Sequence, residues 1–210
     1  MNLPILYTFR RCPYAIRARM ALYYSKVNVI VREISLKNRP EDLYAISKKG
    51  TVPVLLLPNG SVIEESLEIM LWAVNQSDKD NWMFFDKNIQ LNIISINDTH
   101  FKKHLDDYKY NSNQQNKDEL FELCAKYLDT YEKSLDKYLY ILSNNISLVD
   151  ISLFPFIRQF YGVDNDKFIS KYPNLYRWLE SHISSDLFIS VMKKFDLWNK
   201  NISKTELLLD

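Results

Sequence analysis

The chain has 210 residues, enough for one large domain or for two small ones that each hold a core. Hydrophobic residues make up 47% and charged residues 25%, a balance that excludes a disordered chain. The 27 basic and 26 acidic side chains leave a formal net charge of +1, so no nucleic-acid partner is expected.

Residues 4–9 form a short apolar run that stops at Arg10-Arg11-Cys12-Pro13, and 13–25 reads as a helix. Residues 28–34 read as a strand, since Val and Ile favour the pleated conformation. Pro40, followed by Glu41 and Asp42, opens a short helix over 40–47. Two apolar runs then flank Pro58-Asn59-Gly60, the pattern of a tight hairpin, and a helix follows from about Ser66 to Ala73. The order is βαβα and then ββα. A right-handed βαβ unit makes parallel strands and the hairpin adds antiparallel ones, so the expected sheet is mixed.

The rhythm changes at Ser77. Residues 77–86 are polar and then aromatic, as a linker would be, and no strand pattern follows. A helix is expected over roughly 87–110, ended by the polar stretch 111–116. Leu120, Cys124, Tyr127, Leu128, Tyr131, Leu135, Tyr138, Leu139 and Leu142 recur at spacings of three and four, which predicts one long helix. Ser147 followed by Asp150, between Ile146 and Ile151, has the form of a helix capping box with its hydrophobic staple. Pro173 opens a further helix with Leu175, Trp178, Leu179 and His182 on one face. The expected organisation is an α/β domain over 1–76, a linker over 77–86 and an all-helical domain over 87–210.

The opening residues lack the apolar run and small-residue cleavage site of an export signal, and no stretch is long enough to cross a bilayer. The expectation is therefore no membrane and a reducing, cytoplasmic setting, in which two cysteines make no disulfide scaffold. Three glycines, Gly50, Gly60 and Gly162, form no phosphate-cradling loop. His100 and His104 have a metal-like spacing but no matching third ligand, so no metal is expected. Cys124 lies on an apolar stripe and reads as core. Arg17 and Arg19 read as the solvent side of the first helix, with a glutathione or partner contact as the other reading.

Cys12 is different. It follows a strand and precedes Pro13, which suits the first position of a helix. There a sulfur faces unpaired N–H groups and the positive end of the helix dipole, with Arg10 and Arg11 adding charge. Such positions carry a thiol pKa of ~3.5–7.5, against ~8.5 for a free cysteine. The other reading is a buried structural cysteine.

Cys12-Pro13-Tyr14-Ala15 resembles the CPYC site of glutaredoxins with its second cysteine replaced, and still more the CPFA motif of omega-class glutathione transferases. Residues 34–40 (ISLKNRP) are similar to the omega segment whose lysine contacts the glycine carboxylate of glutathione, a role that falls to Lys37. Thr51-Val52-Pro53 resembles the turn that the thioredoxin superfamily places opposite its cysteine, with a cis proline. The bland alternative is a trans proline at a strand edge. By the resemblance, the main chain of Val52 pairs with the cysteinyl part of glutathione. Glu65 and Ser66 match the pair that holds the γ-glutamyl group, acid to ammonium and hydroxyl to carboxylate, although Ser66 read alone is a plain helix cap.

The resemblance implies a thioredoxin-like βαβαββα domain followed by a helical-bundle domain, with glutathione as co-substrate. It implies a glutathione-dependent thiol transferase or reductase acting on a small-molecule or protein disulfide through Cys12, including dehydroascorbate-type reduction. Ala15 supplies no resolving sulfur, and conjugation to electrophiles should be poor. Tyr14 either borders the second-substrate pocket or packs, and Phe195 and Trp198 either line that pocket or pack the last helix. A homodimer is the expected assembly. The rival is a non-enzymatic regulator of the same fold, similar to the stringent starvation protein, although such proteins tend to lose these site residues.

Overall fold

The computed structural model describes residues 3–111, 114–201 and 205–209. Part of the polar stretch 111–116 and part of the expected C-terminal domain therefore lie outside the described residues. The order begins β1 (Ile5–Thr8), α1 (Pro13–Tyr24), β2 (Ile30–Glu33), α2 (Glu41–Ile46), β3 (Val54–Leu56), β4 (Val62–Ile63), α3 (Ser66–Gln76), the expected βαβαββα sequence. β1 pairs in parallel with β2 and antiparallel with β3, which pairs antiparallel with β4, so the sheet is mixed.

Strand alternation sorts the side chains between two faces. Leu6 and Thr8 are buried on the side of α1, where Thr8 meets Arg19 of that helix. Tyr7 turns to the opposite face and packs with Ile34, Val52, Val54 and Leu43 of α2. The hairpin turns at Gly60, whose φ of +86° belongs to the left-handed region that favours glycine.

The helical elements follow: α4 (Lys87–Ile96), a π turn over Asn97–Phe101, α5 (Lys102–Tyr110), α6 (Lys117–Ala125), α7 (Asp129–Leu135), α8 (Leu148–Tyr161), α9 (Asn165–Lys171) and α10 (Pro173–Ile183). The predicted 120–142 helix is two helices. At its break Tyr127 and Leu128 bond back three residues, to Cys124 and Ala125, and the Tyr172 hydroxyl donates to the Ala125 carbonyl and the Asp129 carboxylate. Tyr138 and Leu139, beyond the end of α7, are exposed. A continued apolar stripe cannot reveal a break across which the buried face carries on, here from Cys124 through Leu128 to Leu135.

The chain ends with α11 (Asp186–Val191) and β5 (Glu206–Leu207). β5 is a strand that sequence reading does not anticipate, and it pairs antiparallel with β2. The compact units are accordingly Met1–Lys79 with Ser185–Asp210, and Asp80–Ser184, which differs from the expected division in where the last 26 or so residues belong. Among the described residues no helix is long and apolar enough to cross a membrane.

Candidate active site

Cys12 is the N-cap of α1. Its backbone is extended (φ −71°, ψ 122°), its side chain makes no capping bond, and Pro13 occupies the first turn. Proline gives up only an N–H that a helix start leaves unpaired, and its fixed φ suits helix entry. The Cys12 N–H bonds to the Phe9 carbonyl at 3.0 Å, which closes the turn between strand and helix. The half-buried sulfur lies 3.6 Å from the Val52 carbonyl oxygen, to which the thiol donates. The Val52–Pro53 bond is cis.

The approach to Val52 depends on Gly50, whose φ is +59°. A Cβ there would sit 2.3 Å from the Tyr44 ring, so both the backbone conformation and the space favour glycine.

α3 begins one residue after its N-cap, Glu65, and Ser66 is its first residue; Glu65 makes no side-chain cap bond. The Glu65 carboxylate is exposed and holds the Lys49 ammonium at 2.7 Å. Ser66 is buried, and its hydroxyl oxygen accepts from Nε and Nη2 of Arg17 at 3.0 and 2.9 Å. A hydroxyl that accepts twice still has its own hydrogen to donate. The Arg17 guanidinium also lies 5.2 Å from the centre of the half-buried Tyr14 ring. Lys37 is exposed in the segment between β2 and α2. Cys12, Val52 and Pro53 are thus brought together, Glu65 and Ser66 form a second group tied to α1 through Arg17, and no described contact joins Lys37 to either.

Arg17 and Arg19 do not face solvent; each is 1% exposed. α1 carries buried residues around its whole circumference, Ala15, Ile16, Ala18, Met20, Ala21 and Leu22 among them. A helix apolar all round has no solvent side, and that was the signal available in the sequence. The Arg19 side chain runs back toward the helix start, as helical side chains do. It donates to the Thr8 hydroxyl at 2.6 Å, the Arg10 carbonyl at 2.8 Å and the Val191 carbonyl at 3.0 Å. Burial pulls its pKa down to about 10, while Glu33 and the Cys12 sulfur pull it back up. Glu33 is buried at the end of β2 and accepts the Arg10 N–H at 2.6 Å. Burial raises its pKa, against the lowering effect of that bond and of Arg19. Neither Glu33 nor Lys49 stands out in the sequence, because a lone charged residue usually marks a solvated surface.

Two of the remaining candidates, Cys124 and His104, lie in the helical unit, whereas Trp198 packs against the cluster of Tyr7 and Val52 that Cys12 also meets. Cys124 is fully buried, and burial pushes its thiol up to about 12. His104 stacks on the Tyr127 ring at 5.8 Å. Trp198 packs on Arg32 at 4.3 Å and edge-on to Tyr7 at 6.0 Å, and Phe195 is buried. Among the described residues no three His, Cys, Asp or Glu side chains gather to hold a metal.

Two family models match: glutathione S-transferase, N-terminal domain, over residues 6–80, and glutathione S-transferase, C-terminal domain, over residues 84–186. The chain is similar to glutathione S-transferase omega-1 of Mus musculus, 23% identical over 178 residues that take in 83% of this chain and 74% of that protein. Among solved structures it resembles glutathione transferase Omega 3C from Trametes versicolor (TM-score 0.78, 16% identity, 90% of this chain and 84% of that one). It also resembles a glutathione transferase family member from Pseudomonas fluorescens Pf-5 solved with two glutathione bound (TM-score 0.77, 14% identity, 90% and 91% covered). With a thioredoxin-like sheet domain followed by an all-helical domain, and a matching model for each, the chain belongs to the glutathione S-transferase family.

Proposed function

We propose that this family member is a glutathione-dependent thiol transferase with Cys12 as its nucleophile. The observation that carries the reading is a cysteine at an uncapped helix start, its sulfur 3.6 Å from the carbonyl just before Pro53. A helix N-terminus favours the thiolate, the form that attacks disulfides. Most glutathione transferases activate the thiol of glutathione with a hydroxyl at this position; a thiolate there exchanges instead.

In the first step the Cys12 thiolate attacks the glutathione sulfur of a glutathionylated molecule. The S–S bond breaks, the substrate leaves as its thiolate and takes up a proton, and Cys12 is left in a mixed disulfide with glutathione. In the second step a glutathione thiolate attacks that disulfide, releasing glutathione disulfide and the Cys12 thiolate. Cys124 is buried in the other compact unit and Ala15 carries no sulfur, so the second thiol comes from glutathione. The same thiol supports dehydroascorbate reduction, in which two glutathiones are oxidised to their disulfide as dehydroascorbate gains two electrons and two protons.

Glutathione binding is assigned to Lys37 for the glycine carboxylate, the Val52 main chain beside Pro53 for the cysteinyl part, and Glu65 with Ser66 for the γ-glutamyl group. Two features fit. The Glu65 carboxylate already holds an ammonium, that of Lys49. The Ser66 hydroxyl, accepting from Arg17, keeps a hydrogen for a carboxylate at the positive start of α3. Tyr14 borders the second-substrate pocket in this reading.

The test is glutathione-driven reduction of a glutathionylated small disulfide, run on wild type and Cys12→Ser. Wild type should turn over and the variant should fall to the rate without protein. A wild type no faster than that background, while still retained on a glutathione resin, would move the protein to the non-enzymatic reading.

A further inference from the structure

The turn that presents Cys12 is gripped from both sides by buried groups of opposite charge. The Arg10 N–H donates to Glu33 Oε1 at 2.6 Å, and the Arg10 carbonyl accepts from Arg19 Nη2 at 2.8 Å. Arg19 also reaches the Phe9 carbonyl at 3.5 Å, the same carbonyl that receives the Cys12 N–H. Thr8 and Glu33 are register partners across β1 and β2, so their side chains share the face on which Arg19 lies. The second carboxylate oxygen of Glu33 is buried without a hydrogen-bond partner among the described residues. A cation beside a thiolate favours it, and an anion in the same low-dielectric setting opposes it.

We propose that Glu33 and Arg19 are positioning residues that together set the charge state of Cys12: Arg19 supports the thiolate, and the Glu33 carboxylate, across the Arg10 peptide, moderates that support. This rests on Cys12 acting as a thiolate nucleophile. Among the other charges, Arg17 of α1 is buried and donates to the Ser66 hydroxyl. Arg11 on the turn, Lys193, Lys194 and Asp196 after α11, Asp186 on α11 and Glu68 on α3 are all exposed, and the Glu206 carboxylate of β5 accepts the Asp196 N–H. Arg10 itself is the remaining cation on the turn, and Arg32, the neighbour of Glu33 in β2, faces Tyr7 and Trp198 on the other side of the sheet.

Burial raises the pKa of the Glu33 carboxyl, against the Arg10 N–H bond and Arg19, which brings its protonation toward that of Cys12. Once neutral it no longer offsets Arg19, and Cys12 keeps its thiolate to lower pH. The two titrations are then coupled, and the alkylation rate of Cys12 falls with decreasing pH more gradually than a single proton allows.

The experiment is the rate of Cys12 alkylation by iodoacetamide from pH 4 to 9, followed on the peptide that contains it. Wild type should give a shallow profile. Glu33→Gln, which keeps an acceptor for Arg10, should give a single-proton curve with its midpoint lower by on the order of one pH unit, about tenfold faster reaction below the wild-type midpoint. Arg19→Gln should move the midpoint up, and Glu33→Gln should still lower it in that background. A wild-type curve that follows one proton, or a Glu33→Gln midpoint that stays or rises, overturns the proposal, and the wild-type curve needs no variant to fold. A wild-type midpoint at the value of a free cysteine would instead overturn the thiolate reading on which it rests.

Discussion

The starts of α8 and α1 solve one physical problem in opposite ways. Every helix begins with N–H groups that have no partner inside it. At α8 the chain closes the account: Ser147 and Asp150 form a reciprocal capping box. Asp150, fully buried, accepts the Ser147 N–H and hydroxyl on one oxygen and the Ile141 N–H and the Trp178 indole N–H on the other. At α1 the cap position is a cysteine that makes no such bond, and at α3 it is Glu65, whose carboxylate turns instead to Lys49. The closed start lies within the helical unit and the two open ones within the sheet unit. A helix start closed by its own capping box holds structure, whereas one without a side-chain cap offers N–H groups and a positive field to an anion.

The largest expected effect breaks the closed start. Asp150→Ala orphans three buried N–H groups and should cost on the order of 3 kcal/mol, lowering Tm by about 10 °C in a scanning-calorimetry comparison. The alkylation rate of Cys12 in protein that remains folded should be unchanged.

The next effect probes the shell around that start. His182 packs edge-on to Trp178 and tilted against Phe154, and burial pulls its pKa from 6.5 to about 4. The folded protein disfavours the charged imidazole, so between these values the unfolded chain binds more protons. The stabilisation is complete above about pH 6.5 and is lost as the pH falls toward 4. Urea unfolding at pH 7 and 4.5 should show this group removing on the order of 2 kcal/mol, and His182→Phe should flatten that part of the dependence.

Smaller effects belong to the open starts. Ser66→Ala takes away the acceptor of two Arg17 bonds and should cost about 1–2 kcal/mol, while raising KM for glutathione about tenfold through the lost carboxylate contact. A loss of stability with KM unchanged would leave Ser66 a purely structural residue. Cys12→Ser should move stability the other way. Serine is a favoured N-cap where cysteine makes no cap bond, so the variant should gain about 0.5–1 kcal/mol and a Tm rise of about 2 °C as activity disappears. A variant no more stable than wild type would show that the open start carries no cost to structure.

Much of this contrast is legible in the sequence. The Ser147–Asp150 spacing between Ile146 and Ile151 declares the closed start, and a strand running into Cys12-Pro13 declares the open one, because both signals are local. Order and type of the first seven elements follow from patterns of period two and 3.6 for the same reason. What the sequence conceals is set by packing at a distance. Arg17 and Arg19 read as surface residues by type, yet their acceptors come from Ser66, 49 residues on, and from Val191, 172 residues on. The break after Ala125 depends on Tyr172, and β5, two residues long, is a strand only because β2 offers it an edge.

The most direct test of the central claim is to catch the intermediate. The protein is mixed briefly with a glutathionylated peptide, quenched in acid and read by peptide mass spectrometry. The account predicts one glutathionyl group on the peptide containing Cys12, none on Cys124, and its removal when glutathione is added before the quench. A Cys12 peptide that stays unmodified while the substrate is reduced, or an adduct that glutathione does not discharge, would contradict it.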